Sequence, residues 1–166
     1  VLGVALDAAA INTGGSGAPV GILGTGGIGA FTGTSLAVAA LLDAQADVAG
    51  ANALTTECAY LTTPAVAVLL AQRPRMTGGL ETPLWQGNIL DGNVLGFRAA
   101  TSMQVPSATA IFGDFSQVIF AEWGVLEIAA NPYANFAAGI TGIRAFLTAD
   151  VGVRVAGAFS AASTIT

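Results

Sequence analysis

From Ile143 to Val155 the chain alternates. Ile143, Ala145, Leu147, Ala149, Val151, Val153 and Val155 are apolar, and between them stand Arg144, Phe146, Thr148, Asp150, Gly152 and Arg154. Successive side chains on a strand point to opposite faces, so this period of two dictates one strand with a uniformly apolar face. Its thirteen residues far exceed the usual strand length of about 5–6. A strand of that length reaches beyond one compact sheet as an extended ribbon.

The question of what covers such a face brings in composition. Of 166 residues, 54% are hydrophobic and only 9% charged, where an ordinary soluble domain carries about 25% charged residues. There is no Lys and no His; the five cations are Arg73, Arg75, Arg98, Arg144 and Arg154, and ten carboxylates leave a net charge of −5. A soluble surface needs about 25–35% charged residues, so these cannot dress the whole outside of a monomer. Other copies of the protein would cover the remainder, because obligate interfaces resemble a core cut in half. A mean hydropathy of +0.72 raises the membrane alternative. A spanning helix needs about 20 consecutive apolar residues, and Gly, Thr, Ser, Asn and Pro break the longest uncharged stretch, Ala8 to Leu42. The expectation is a chain with no membrane segment.

Several chemistries are disfavoured by the same count. An acidic chain lacks the basic patch of a nucleic-acid reader. Without His and with Cys58 alone, neither a zinc site nor a Ser-His or Cys-His nucleophile can be built from this chain by the usual residues. Glu122 and Glu127 lie five apart in strand-like sequence and point to opposite faces, which spoils them as a glycosidase pair. No catalytic, metal or cofactor residues are therefore assigned. Cys58 reads as a small buried hydrophobe. The length fits one domain, or one with part of a second, and Val1 opens mid-pattern, as a break inside a longer protein would.

Along the chain, Val1 to Ile11 reads as the end of a helix, stopped by Asn12 and the glycines after it. Val20 to Leu23 suits a short strand. Thr34 or Ser35 can cap a helix from Leu36 to Ala49, with Val38, Leu41, Leu42 and Gln45 on one face and Asp43 and Asp47 toward water. Glu57 to Thr62 reads as a strand, and Pro64 as the first turn of a helix ending near Gln72. Arg73 to Gly92 is an extended loop with room for a hairpin. Strands are expected over Val94 to Met103, Ala108 to Phe112, Val118 to Trp123 and Val125 to Ala129, the last closed by Asn131-Pro132. The order is mixed, and the class is α+β.

One motif competes with this picture. Gly24-Thr25-Gly26-Gly27-Ile28-Gly29 after Val20–Leu23 matches the dinucleotide fingerprint G-x-G-x-x-G. That fingerprint needs a strand before it, a helix running on from it and an acid about 20 residues later. Phe31 to Ser35 reads as a turn, and Asp43, the acid at that distance, falls within a helical pattern.

An ordered set of short blocks carries a resemblance. Ala53 to Val66, Leu84-Trp85-Gln86-Gly87, Leu95 to Ala100, Ile111 to Ser116, Trp123 to Ile128, Asn131-Pro132-Tyr133 and Ile143 to Phe146 follow one another as in the major capsid proteins of tailed bacteriophages and prophages. Ala9 to Asn12 with Pro19 to Leu23 is similar to that family's step out of its long spine helix. The resemblance covers nearly the whole chain and implies the Hong Kong 97-type fold. It implies the end of the spine helix at residues 1–12, mainly axial domain over 13–117, a peripheral-domain return with the long strand over 118–155, and a terminal strand at 156–166 rejoining the axial domain.

The function so implied is a head protein that self-assembles through pentamers and hexamers into an icosahedral shell, holding double-stranded DNA by enclosure. Portal and scaffolding or protease proteins would be its partners, and the virion, assembled in the bacterial cytoplasm, its place. Trp85, Trp123, Asn131, Pro132 and Tyr133 are the candidate subunit contacts, since aromatic residues dominate interface hot spots. One branch of the family cross-links Lys to Asn with the help of a Glu; this chain has no Lys, Gly139 at the Asn position and Phe146 at the Glu position, so no such cross-link is expected. The alternatives are an encapsulin-like compartment of the same fold and a dinucleotide-binding oxidoreductase resting on Gly24–Gly29.

Overall fold

The computed structural model describes residues 2–14, 17–75 and 82–166. Its centre is strand β2 (Ala59–Thr62), which pairs parallel with β5 (Phe97–Thr101) and antiparallel with β6 (Ala110–Gly113). The parallel pairing needs a crossover, supplied by helix α3 (Pro64–Gln72) and the hairpin of β3 (Trp85–Gly87) and β4 (Asp91–Val94). On the other side, β9 (Phe159–Ala162) inserts between β6 and the two-residue edge strand β1 (Gly29–Ala30). The seven strands lie in the order β1-β9-β6-β2-β5-β4-β3, and the last segment of the chain thus returns to the sheet built by residues far before it.

The register divides the sheet into two faces. Tyr60, Ala99, Phe112 and Ser160 stand in one row, and this face carries α2 (Val38–Gly50) and α3. Helix α2 buries Ala40, Leu41, Ala44 and Val48 against it. The Tyr60 and Phe112 rings meet at 4.5 Å, and Phe97 stands edge-on to Phe112 at 5.2 Å. Burying a ring the size of Phe112 contributes about 1.5–3 kcal/mol. Leu61, Ile111 and Ala161 form the row on the other face, where Ile11 at the end of α1 (Leu2–Ile11), Ile22, Val105, Phe115 and Phe159 make a second, smaller core.

Among the described residues Thr101 Oγ1 is the one buried side-chain polar atom left without a hydrogen-bond partner. The Tyr60 hydroxyl donates to the Leu41 carbonyl at 2.9 Å and accepts from Gln45 Nε2 at 3.0 Å. Burial pushes that hydroxyl's pKa up, and the Gln45 bond opposes this only in part. Thr62 Oγ1 donates to the Thr109 carbonyl at 2.8 Å. Arg73 donates to the carbonyls of Leu36 and Thr166 at 2.6 and 2.7 Å, fastening the approach to α2 to the last residue.

Local departures from the sequence reading have identifiable causes. Residues Ile22–Gly24 form a 3-10 turn, not a strand. Helix α2 starts after an extended Ala37 with no side-chain cap, because Leu36 is drawn fully into the core and Ser35 takes a left-handed φ of 50°. Its buried face omits Leu42, which is exposed; Asp43 is exposed as expected, while Asp47 turns its carboxylate to the buried Ser160 hydroxyl at 2.8 Å. Helix α3 starts where Pro64 placed it, with Thr63 Oγ1 accepting from the Val66 N–H. The expected single strand from Val94 to Met103 is instead the end of β4, a turn at Leu95-Gly96 (φ 50° and 92°) and β5. Cys58 is buried, one residue before β2.

The glycine fingerprint loses its context altogether. A 3-10 turn precedes it, edge strand β1 follows it, and the next helix begins only at Val38. Gly29 is there for space: a Cβ would lie 2.9 Å from Asp47 Oδ2 and 3.0 Å from Ser160 Oγ, two atoms joined by a 2.8 Å hydrogen bond. Asp43, the expected ribose acid, sits in mid-helix. The dinucleotide-binding alternative is withdrawn on this geometry.

Candidate interaction surface

Strands β7 (Val118–Asn135) and β8 (Ile140–Val153) form a second, two-stranded sheet, a single long hairpin. The alternating run predicted this strand, but Asn131-Pro132 does not end its partner. Trp123 pairs with Thr148 and Glu127 with Phe146, four steps of β7 against two of β8; Asn131 with Gly142 and Asn135 with Ile140 repeat the mismatch. Each mismatch is a bulge holding two extra residues on β7. Pro132 lies within the second, where its missing N–H removes no paired rung.

Two extra residues preserve the facing of everything beyond them. Directly opposed residues share a face, so Val118, Phe120, Glu122, Ile128 and Ala130 face the same way as Val153, Val151, Ala149, Ala145 and Ile143. The opposite face carries Ala121, Trp123, Glu127 and Ala129 across from Asp150, Thr148, Phe146 and Arg144. Glu122 and Glu127 therefore lie on different faces and make no carboxylate pair.

Burial along the first face falls steeply. At the base Val118 and Val153 join the second core, and Val151 is 5% exposed. Arg154 closes the base by donating to Gln117 twice, main chain to carbonyl at 2.9 Å and Nε to Oε1 at 3.0 Å. Further out Ile128 and Ile143 are exposed, the latter to 75%. In the first bulge Gly124 has φ +80° and Val125 is 86% exposed. A two-stranded ribbon is at best marginal alone in water, and an uncovered apolar surface of this extent marks an interaction site. Where the base meets α1 and the sheet, Asp7, Ala10, Ile11, Leu61, Ser102, Phe115, Val118 and Phe120 line an open cleft of about 280 Å³.

The candidate contact residues separate. Trp123 (56% exposed) and Tyr133 (82%) stand out from β7 with Asn131 and Pro132, and Asn131 Oδ1 accepts from the Tyr133 N–H at 2.9 Å. Trp85 does not join them: it is 2% exposed, packs in the main core, and donates from Nε1 to the Asn88 carbonyl at 2.8 Å. Its ring has no surface to offer a neighbour. The sequence reading missed the bulge at Gly124–Leu126, although a glycine interrupting two apolar strand runs was its visible trace.

One charged group beside the base is worth locating. Burial pushes the Asp114 carboxyl up, but hydrogen bonds from Ser116, Gln117 and Thr55 outweigh it and hold it below the ordinary carboxylate range. The Ser116 N–H reaches Oδ1 at 3.0 Å and Gln117 Nε2 reaches Oδ2 at 3.2 Å. Asp114 thus fixes the 3-10 turn Phe115–Gln117 from which the hairpin leaves the sheet.

The architecture is an open mixed sheet covered on both faces, bearing a long ribbon whose apolar row is exposed at its outer end. The chain belongs to the phage capsid family, whose sequence model matches residues 1–163. It is 31% identical over 121 residues to the major capsid protein of Halomonas phage phiHAP-1, a match spanning 73% of this chain and 19% of that protein. Its fold is similar to the capsid of a native GTA particle computed with C5 symmetry (TM-score 0.70, 19% identity), over 99% of this chain and 62% of that one. A solved chain of Mycobacterium phage Ogopogo is matched with a TM-score of 0.68 and 20% identity, over 97% of this chain and 63% of that one. The fold is the Hong Kong 97 type. The chain spans about a fifth of the curated relative and less than two thirds of either solved chain.

Proposed function

We propose that this chain serves as the shell-forming part of a structural major capsid protein, which assembles through pentamers and hexamers into an icosahedral shell around double-stranded DNA. One observation carries this reading: a chain of the phage capsid family leaves an apolar hairpin row uncovered at its outer end, a surface that calls for further protein against it. The seven-stranded sheet, residues 13–117 with the terminal strand of 156–166, corresponds to the axial domain. Residues 118–155 correspond to the peripheral domain, and 1–12 to the end of the spine helix. Trp123, Asn131, Pro132 and Tyr133 are the subunit contacts on the hairpin. The role is structural and not enzymatic; the acidic chain holds DNA by enclosure, in particles built in the bacterial cytoplasm with portal and scaffolding or protease proteins.

The test is assembly of the gene product as encoded, followed by sedimentation and electron microscopy. Closed particles of uniform size are expected, and a species that stays monomeric at every concentration and salt condition overturns the reading.

A further inference from the structure

The second face of the hairpin carries charges that find no partner among the described residues. Glu127 faces Phe146 across the ladder, and Arg144 is two residues along β8 on the same face. The Arg144 guanidinium does not turn to Glu127; it lies over the Phe146 ring, 4.3 Å from the centroid. Among the described residues the one ion pair is Arg98–Asp91, so Arg144 and Glu127 both stay unpaired. Both are exposed, and Trp123, also exposed, stands on the same face one bulge away.

A patch with an acid, a base and two aromatic rings on one flat ribbon is complementary to itself. A two-fold contact requires this property, because residue i of one copy meets residue j of the other and the reverse. We propose that this face docks on the same face of a second copy about a two-fold axis, the Arg144 of each meeting the Glu127 of the other. Trp123 and Phe146 fill the space between. The stack on Phe146 holds the guanidinium in place before contact, and the rings exclude water from the charge pairs as the centre of an interface does. This inference rests on the shell reading above and adds which surface of the hairpin meets a second copy, and in what symmetry.

Four samples of the gene product as encoded test it: Glu127→Arg, Arg144→Glu, the double variant, and an equimolar mixture of the two single variants. Far-UV circular dichroism and the melting temperature of the dissociated subunits should match the unsubstituted protein, since both positions are exposed. Each single variant gives a face of one sign and should associate at least about tenfold more weakly, by sedimentation at low salt. The double variant should recover. The mixture should recover too, because the face made cationic by Glu127→Arg meets the face made anionic by Arg144→Glu. Recovery in the double variant without recovery in the mixture means that the pair acts within one chain, and overturns the proposal. Undiminished association in both single variants overturns it as well and leaves the shell reading intact. Failure of the unsubstituted protein to associate at all is the separate outcome that removes both.

Discussion

The seven-stranded sheet and the β7–β8 hairpin are built on the same alternation and end in opposite states. In the sheet one row of side chains, Tyr60, Ala99, Phe112 and Ser160, goes beneath α2 and α3, and the reverse row beneath the smaller core around Phe159. In the hairpin the apolar row is covered at Val151 and open at Ile143. Alternation states that a face is to be buried; it does not state by whom. The chain encloses the seven-stranded sheet itself and leaves the outer end of the hairpin uncovered, so substitutions in the two regions should fail in different assays.

The largest expected effect lies in the sheet. Phe112→Ala empties a fully buried site between two aromatic neighbours and should cost about 3–5 kcal/mol in urea unfolding of the subunit. A loss under about 1 kcal/mol would mean that the sheet's core is as open as the hairpin. Tyr60→Phe keeps the ring and removes the hydroxyl, leaving the Leu41 carbonyl and the Gln45 amide each short of a partner. About 1–3 kcal/mol should go with it, read in the same experiment.

At the joint between the regions the effect is smaller and depends on pH. The Asp114 carboxyl titrates below its ordinary range in the fold, so the charged form stabilises the folded chain. That contribution is complete above the unfolded value of about 4 and disappears as pH falls through the lower folded value. Asp114→Asn should therefore lower the melting temperature most at neutral pH, and the gap to the unsubstituted protein should narrow below about pH 4. A gap that widens in acid would contradict the hydrogen-bond account of the turn Phe115–Gln117.

How far the sequence could be read follows the same division. The hairpin announced itself through β8, because both bulges lie on β7 and leave the period of two in β8 unbroken. In β7 each bulge adds two residues and keeps the parity of those beyond it, which hid the bulges and made Asn131-Pro132 look like a terminator when the ladder simply skips it. In the sheet the helix start at Thr63-Pro64 was legible from local chemistry alone. The reversal at Leu95-Gly96 was not, since a leucine at φ 50° is held there by packing against the core and carries no turn signal. Trp85 reads as a contact because aromatic residues dominate interface hot spots; pairing of β3 with β4 draws it inside. The fingerprint at Gly24–Gly29 misled because Gly29 answers to steric room beside Asp47 and Ser160, not to a pyrophosphate.

The smallest effect on folding should belong to the region with the largest effect on assembly. Ile143→Thr changes a side chain that is already in water in the isolated subunit, and threonine keeps the branched shape that suits a strand. Exposed substitutions of this kind stay within about 0.5 kcal/mol, so subunit unfolding should hardly move. If the open end of the row is a contact surface, a hydroxyl placed there meets an apolar neighbour without a hydrogen-bond partner, and particle yield should fall sharply while the melting temperature of the free subunit does not. A variant that unfolds as readily as Phe112→Ala would show that the chain covers the row after all. A variant that assembles in full yield would move the contact to the opposite face, where Trp123, Glu127, Arg144 and Phe146 stand.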